Sequence, residues 1–554
     1  MFPNGLVVLT QPMSTLRIQI PHLLKSLAAI VSDTVYIHLQ PSLRNIEGLP
    51  VSSAFYSSLP CTTEMKSFIS DVYFHSSSLC QTLDVRILLS HFSNNSCINS
   101  WQTSQSLSKS LNVLISDAEW LQEYWTSNRD SVLNLLEQAF HLGKAETSSL
   151  QFRPILGSEQ EHRKCLPDDE TQTVLKTYKN VVLGGTFDRL HNGHKVLLST
   201  SSLLCEQKLT VGVTNKDMIK SKILKELIEP VESRMSSVSH FVHDIKPSLN
   251  IKTVAIEDIY GPTTVYPDFE CLVVSQETIK GGDMINAERV KKGMKPLEIV
   301  IVDLVQDTCH APEEEDKVSS SSQRRRLLGE LLKPVTSQPH LPSRPYRLGL
   351  TGGIASGKSN ACKELAKLGA AVINCDHLGH KAYEPGMEAF RTIVKTFGQE
   401  LVTEKGDIDR KKLGAIVFSD KSKMDMLNKI VWPEIQKLVE KEIEQLASDG
   451  YNIVVVEAAV LLEAGWDKQV HEVWTTFVPK EEAIKRICTR NQLSEAEAAQ
   501  RIDSQLSNSE RIAKSNVVIC PLWEYEYTRQ QIAKAWALLQ QRIQETSKPV
   551  SSSL

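Results

Sequence analysis

The chain has no run approaching the roughly 18 consecutive apolar residues that a membrane helix needs, so no transmembrane segment is expected. Net charge is also small, −4 over 554 residues. That removes the global electrostatic reason to expect nucleic acid or a membrane surface as a partner. No Cys-x-x-Cys pair occurs, and the eleven cysteines are scattered and odd in number. This is the pattern of a reducing compartment, not of a disulfide framework or a zinc clip. His240/His243 and His377/His380 have helix-turn spacing but no adjacent cysteine and no matching second pair, which argues against zinc there. Acid is missing from the first 32 residues, where Arg17 and Lys25 are the only charged side chains. Mitochondrial presequences have such a composition. A folded β-α-β start explains it better, with Gly5–Thr10 and Thr34–His38 as strands and Pro21–Val31 as helix. The expected location is cytoplasm and mitochondrion, in the matrix or associated with the outer membrane.

What the chain does have is length for about three domains and two phosphate-handling signatures. Residues 1–175 alternate short apolar runs with Ser-rich turns around Ser52–Ser58 and Ser104–Ser110. Leu83–Leu89 is a candidate strand and Asp117–Phe140 a candidate helix. No catalytic constellation is visible there, so this part is read as an accessory or regulatory α/β domain, dispensable for chemistry, that offers a surface to protein partners. Glu159–Thr173 is polar and acidic, a linker pattern. Residues 176–308 alternate strands and helices and form the second domain. Residues 309–344, with Glu313–Asp316, Ser319–Ser322, Arg324–Arg326 and several prolines, read as a linker, and 345–554 as the third domain. Lys480–Gln505 reads as one helical arm and Thr546–Leu554 as a frayed tail. The fold class expected is α/β: two doubly wound parallel-sheet nucleotide-binding domains plus an N-terminal α/β domain.

The first signature is GGTFDRLHNGH, from Gly184 to His194, behind the apolar run Val181–Leu183. Gly184 and Gly185 let backbone approach a phosphate with no Cβ in the way. The helix beginning near Asn192 points free N–H groups and a positive dipole end at an anion. His191 and His194 are three apart and project to one side, where imidazoles can donate to phosphate oxygens as charge builds. Thr186, Phe187, Asp188 and Gly193 complete the expected nucleotide lining. Lys216, after the strand Leu209–Val213, is the expected contact for an acceptor phosphate, with a solvated surface lysine as the alternative.

The second signature is GGIASGKS, from Gly352 to Ser359, behind Leu348–Leu350. It satisfies GxxxxGK[ST]. Backbone N–H groups of Gly352, Gly353, Ile354, Ala355, Ser356 and Gly357 cradle ATP phosphates, Lys358 reaches their oxygens, and Ser359 takes Mg²⁺. Asp376 ends the next strand, Ala371–Asp376, and in an open parallel sheet faces the crevice at the strand carboxyl ends. A carboxylate there can accept a proton from an attacking hydroxyl; a structural cap is the alternative.

The first string resembles the HxGH motif of nucleotidylyltransferases. Val273–Gly282, VVSQETIKGG, is similar to that superfamily's second signature in eukaryotic and archaeal phosphopantetheine adenylyltransferases. The resemblance implies ATP across His191 and His194, with Ser275, Glu277 and Thr278 lining the other side. It also implies direct attack of a substrate phosphate on the α-phosphorus, with no covalent intermediate. Bacterial members carry an arginine in that signature where this chain has Lys280 nearby. The second string, with Val372–Asp376, Phe397-Gly398, Gly406–Arg410, Trp432-Pro433, Glu457–Glu463 and Arg486, Arg490 and Arg501, resembles dephospho-CoA kinase. That resemblance implies an arginine lid, with Arg490 closing on ATP phosphates and Arg486 beside it at the substrate. Glu457 stands where that family usually has Asp, and Ala459 where it has Pro.

Together the motif sets resemble the bifunctional coenzyme A synthases of animals over about residues 180–545. The resemblance implies ATP with Mg²⁺, 4'-phosphopantetheine and dephospho-CoA as the small-molecule partners. One rival is a nicotinamide-type adenylyltransferase fused to a nucleoside kinase, for which neither Ser275–Thr278 nor Gly406–Arg410 would be expected. A scaffold of degenerate nucleotide folds is the other, set against intact His191, His194, Lys358 and Asp376.

Overall fold

Short runs of β-branched and aliphatic residues, most of them joined by α-helices, build three five-stranded sheets in this computed structural model. The structure describes residues 1–43, 55, 57–94, 105–155, 173–311, 314–418 and 420–547. These residues fall into two units, Met1–Gln323 and Arg324–Leu554.

The first unit holds two sheets. The N-terminal one runs β1 (Phe2–Leu9), α1 (Met13–Ile30), β2 (Val31–Leu39), α2 (Thr63–Leu79), β3 (Asp84–Ile87), β4 (Val113–Ser116), α3 (Glu119–Phe140) and β5 (Gln151–Pro154). Its strand order is β3-β2-β1-β4-β5, with every pairing parallel. The acid-free start is thus the central strand, first helix and second strand of a sheet, as the folded reading expects. The second sheet runs β6 (Tyr178–Gly185), α4 (Asn192–Leu204), β7 (Cys205–Thr214), α5 (Val231–Ile245), β8 (Asn250–Ile256), β9 (Cys271–Ser275), α6 (Ile279–Lys291) and β10 (Glu298–Val302). Its order is β10-β9-β6-β7-β8, again all parallel. A short helix, α7 (Ser320–Arg326), follows.

These two sheets do not stand apart. Met65, Phe68, Ile69, Val72 and Tyr73 of α2 belong to one apolar cluster with Val196, Leu197, Leu198 and Leu203 of α4. Burying such a side chain contributes about 2 kcal/mol, so this helix pair is a core and not a casual contact. The dispensable accessory domain that the sequence suggests is therefore half of a shared interior. Of the expected linker Glu159–Thr173, only Thr173 lies within the described residues, as does only part of the Ser52–Ser58 and Ser104–Ser110 loops.

The second unit carries β11 (Tyr346–Gly352), α8 (Lys358–Lys367), β12 (Ala371–Asn374), α9 (Cys375–Lys381), α10 (Lys421–Ser448), β13 (Ile453–Glu457), β14 (Glu472–Thr476), α11 (Lys480–Asn491), α12 (Glu495–Asp503), β15 (Val517–Ile519) and α13 (Tyr525–Ser547). Its parallel order is β12-β13-β11-β14-β15. The arm expected as one helix over Lys480–Gln505 is two. Gln492 takes a left-handed conformation, and Ser494 then opens α12 with a capping box to Glu497. The frayed tail expected from Thr546 lies mostly beyond the described residues.

Candidate active sites

In a doubly wound sheet the crevice forms at the carboxyl ends of strands where the winding reverses. Both signatures sit there. In the first unit β6 lies between β7 and β9, and its carboxyl end, Gly184-Gly185, leads into Thr186, Phe187 and Asp188. Phe187 is buried at φ +50°, its ring filling the place where a Cβ on Gly185 would stand, 3.0 Å from Cε2. Thr186 is fixed twice: its carbonyl accepts from Arg234 of α5 at 2.7 Å, and its hydroxyl meets Thr214 at the end of β7 at 3.3 Å. Asp188 is fully buried and accepts from the Glu229 amide at 3.0 Å and from Arg189 at 3.2 Å. These bonds tie the loop together.

His191 caps α4, and His194 stands one turn in. Their rings stack with centroids 3.8 Å apart, and Phe187 packs on His194 at 5.1 Å. A Cβ at Gly193 would lie 3.2 Å from two atoms of the His191 ring, so a side chain there would push on the stacked pair. Burial pushes His194 down to about 4, with Asp188 opposing it. Its imidazole is neutral at pH 7 and presents an N–H donor, not a cation. Nδ1 of His194 is buried with no partner among the described residues.

Across the crevice, Ser275 ends β9, and Thr278 Oγ1 accepts from its backbone N–H at 3.0 Å. Glu277 is ion-paired to Lys317. Lys216 follows β7 at φ +42° and pairs with Glu257 at 2.7 Å on the surface.

The sequence reading missed the place of residues 309–323, which it took as linker. Val318 pairs back onto Val305, its amide donating to the carbonyl at 2.8 Å. Ser320 at the start of α7 then donates to the Asp188 carbonyl at 3.1 Å and meets His191 Nε2 at 3.3 Å. The start of the expected linker 309–344 is therefore site wall. The signal was present: Ser319 stands directly before α7, and its hydroxyl accepts from the Ser322 amide at 3.1 Å, a helix-start cap. Polar composition alone had suggested a linker.

In the second unit Gly352–Ser359 wraps from β11 into α8. Gly352 has φ +155°, and a Cβ on it would meet the Thr476 carbonyl at 2.3 Å. Gly357 at φ +91° caps α8 in the left-handed region. Ala355 shares that region at φ +61° and its carbonyl accepts from Arg486 at 3.4 Å. Ser356 is locked to Thr476 at 2.8 Å and the Ile354 amide donates to Gln505 at 2.9 Å. Lys358 folds back onto the Gly352 and Gly353 carbonyls at 2.8 and 3.3 Å. Burial lowers its pKa, while Asp376 and Glu457 act in the opposite direction.

Asp376 lies in the first turn of α9, one residue beyond Cys375 and past the end of the strand, still within electrostatic reach of Lys358. Glu457 ends β13; Ser359 Oγ donates to one of its oxygens at 3.3 Å, and Asn374 Nδ2 to the other at 2.9 Å. Hard oxygen donors converging beside the phosphate loop suit a divalent cation such as Mg²⁺. Arg486 also donates to the Pro521 carbonyl at 2.6 Å, which makes it a loop brace. Arg490 is exposed at the end of α11 and bonds Asn491 at 3.0 Å. Gln505 and the fully buried Arg511, which donates to Glu463 at 2.8 Å and to the Ala459 carbonyl at 3.1 Å, carry no motif that sequence reasoning could find.

The chain is similar to known proteins in each part. Family models match at residues 346–521 (dephospho-CoA kinase), 182–326 (cytidylyltransferase-like) and 3–135 (COASY N-terminal domain). A dephospho-CoA kinase of Carboxydothermus hydrogenoformans is 42% identical over 185 residues, 33% of this chain and 90% of that protein. One from Geobacter sulfurreducens is 41% identical over 190 residues, 34% of this chain and 96% of that protein. A phosphopantetheine adenylyltransferase of Saccharomyces cerevisiae is 36% identical over 209 residues, 37% of this chain and 66% of that protein.

Proposed function

The chain belongs to the dephospho-CoA kinase family, and on that premise we propose that it carries out two consecutive ATP-dependent steps of coenzyme A synthesis. The observation that carries this reading is the pair of phosphate sites on one chain, one similar to the enzyme that makes dephospho-CoA and one to the enzyme that consumes it.

In the first step, the phosphate of 4'-phosphopantetheine attacks the α-phosphorus of ATP and pyrophosphate leaves. The first turn of α4 supplies free backbone N–H groups and its positive end. Neutral His194 donates a hydrogen bond to the charge that builds on the phosphate oxygens, and His191 stands beside it. Glu277 and Lys317 form the opposite wall, with Lys317 as the nearby cation, and Ser320 packs against His191.

In the second step, the ribose 3'-hydroxyl of dephospho-CoA attacks the γ-phosphorus of a second ATP, and the bond to the bridging β-phosphate oxygen breaks as ADP leaves. Asp376 orients that hydroxyl and accepts its proton. Lys358 exchanges the loop carbonyls for phosphate oxygens, a short reach because those carbonyls line the same loop. Arg490, exposed at the end of α11, closes over the phosphates, while Arg486 braces the loop. Ser359 and Glu457 would hold Mg²⁺, which when bound neutralises charge on the β- and γ-phosphate oxygens.

Purified full-length protein given 4'-phosphopantetheine, ATP and Mg²⁺ should yield coenzyme A by mass spectrometry, with dephospho-CoA as a transient. Conversion of supplied dephospho-CoA without any from phosphopantetheine would sink the first half of the reading. The reverse result would sink the second.

A further inference from the structure

The N-terminal sheet has the order and parallel winding of a nucleotide-binding fold, with the reversal between β1 and β4. A ligand phosphate would sit at the turn after β1. There the Thr10 and Gln11 amides donate instead to the Asp117 carboxylate, at 2.8 and 3.2 Å, and the Thr10 hydroxyl adds a third bond at 3.0 Å. The chain's own carboxylate fills the anion position, so the work of this sheet must be sought elsewhere.

It is found along α4, the helix that carries both histidines. At its first residue, Asn192 Nδ2 donates to Ser76 Oγ at 3.0 Å and to Ser77 Oγ at 2.9 Å, both in the last turn of α2. Each of those hydroxyls gives its own proton to the Tyr73 carbonyl, at 3.2 and 2.9 Å. Each has only lone pairs left to offer, which matches the two hydrogens of one amide. Further along, Lys195 pairs with Asp84 of β3, Ser199 meets the Tyr73 hydroxyl at 3.4 Å, and Cys61 Sγ donates to the Leu203 carbonyl at 3.5 Å. Nothing from β6–β10 holds Asn192 in the same way among the described hydrogen bonds. Asn192 lies between His191 and His194, so whatever fixes it fixes their aim.

We propose that Ser76 and Ser77 are positioning residues for adenylyl transfer, through which the N-terminal sheet sets the roll of α4 and the direction of its histidines. The inference rests on the adenylyltransferase reading of the first site. The two serines touch no reacting atom. They act through Asn192, and their loss leaves the Gly184–Phe187 loop in place to bind ATP.

The test is the full chain carrying Ser76→Ala/Ser77→Ala, with both half-reactions measured on one preparation. Adenylyl transfer should lose about 10-fold in kcat, on the scale of one or two aligned hydrogen bonds. KM for ATP should stay within about 2-fold, and phosphorylation of supplied dephospho-CoA should be unchanged. Ser76→Ala/Ser77→Thr, which restores one acceptor, should recover most of the loss. An unchanged kcat overturns the proposal. So does a loss that the threonine variant shares, or one explained entirely by a smaller folded fraction in thermal unfolding, because a merely structural role predicts those results. Wild-type protein that forms no dephospho-CoA from phosphopantetheine refutes the adenylyltransferase reading itself, and that result is distinct from an active wild type with an unaffected variant.

Discussion

At the scale of single residues, charge state and reach decide what each site can do. His194 is buried against Phe187 and His191, and burial holds it near 4, well below an ordinary histidine. Between about pH 6.5 and 4 the unfolded chain takes up a proton at this position that the folded chain refuses. Stability of the first unit should therefore fall as pH drops through that window, by about 1.4 kcal/mol per pH unit from this group. His194→Gln should flatten the slope, as read by denaturant titrations at pH 6.5, 5.5 and 4.5. The same variant should lower adenylyl transfer by about 10²–10³ while sparing the kinase reaction; loss of both in folded protein would refute two separate sites. Asp376 gives the complementary case. Asp376→Asn should cut kinase turnover while ATP affinity stays near wild type, measured by calorimetry, and dephospho-CoA should accumulate. Weakened ATP binding would instead make Asp376 a structural residue.

At the scale of elements, the turn from strand to helix does most of the placing. Gly352 and Gly357 are glycines because their backbones lie where Thr476 and Pro521 leave no room for a side chain. The arm after β14 shows a local rule that was present in the sequence and outweighed by composition. Ser494-x-x-Glu497 is a capping box, and its reciprocal bonds, 3.3 Å from the Glu497 amide to Ser494 Oγ and 2.9 Å from the Ser494 amide to Glu497, start a new helix. Reading Lys480–Gln505 as one helix weighed its helix-forming residues above that box. Ser494→Ala should destabilise α12 by about 1 kcal/mol. Hydrogen exchange at the amides of α12 should speed up while α11 is unchanged; equal acceleration in both would mean that the two segments open as one.

At the scale of the whole molecule, the first unit is more integrated than the order of its motifs suggests. Asp84, Arg86 and Asp244 link β3 to α5, and Tyr36 of β2 donates to Asp244 at 2.9 Å. Lys195 and Arg86 hold Asp84 below the usual carboxylate range although burial pushes it up. Removing residues 1–167 would strip these partners from Asp244 and Lys195 and expose the α4 face that α2 covers. Such a chain should be poorly soluble or should lose adenylyl transfer. Residues 324–554, with their own sheet and core, should still phosphorylate dephospho-CoA. A monodisperse, fully active truncation in size exclusion and coenzyme A assays would show that the α2–α4 core is not needed.

The amino-acid sequence alone determined two parallel sheets and an N-terminal α/β domain, the two strand–loop–helix turns and the residues on them, because glycine spacing, β-branched runs and helix-start signals act within a few residues. His191, His194, Lys358 and Ser359 were readable for that reason, and Asp376 was displaced only by the short distance from a strand end to the next helix turn. Tertiary structure decided everything that depends on contact between distant segments. It placed Ser320 against His191 across 129 residues and Asn192 on Ser76 across 116. It folded Arg511 under the phosphate loop and buried Asp188 as a loop brace. A hydroxyl or an amide carries no mark in the sequence of the partner it will meet, because that partner is chosen by how helices pack.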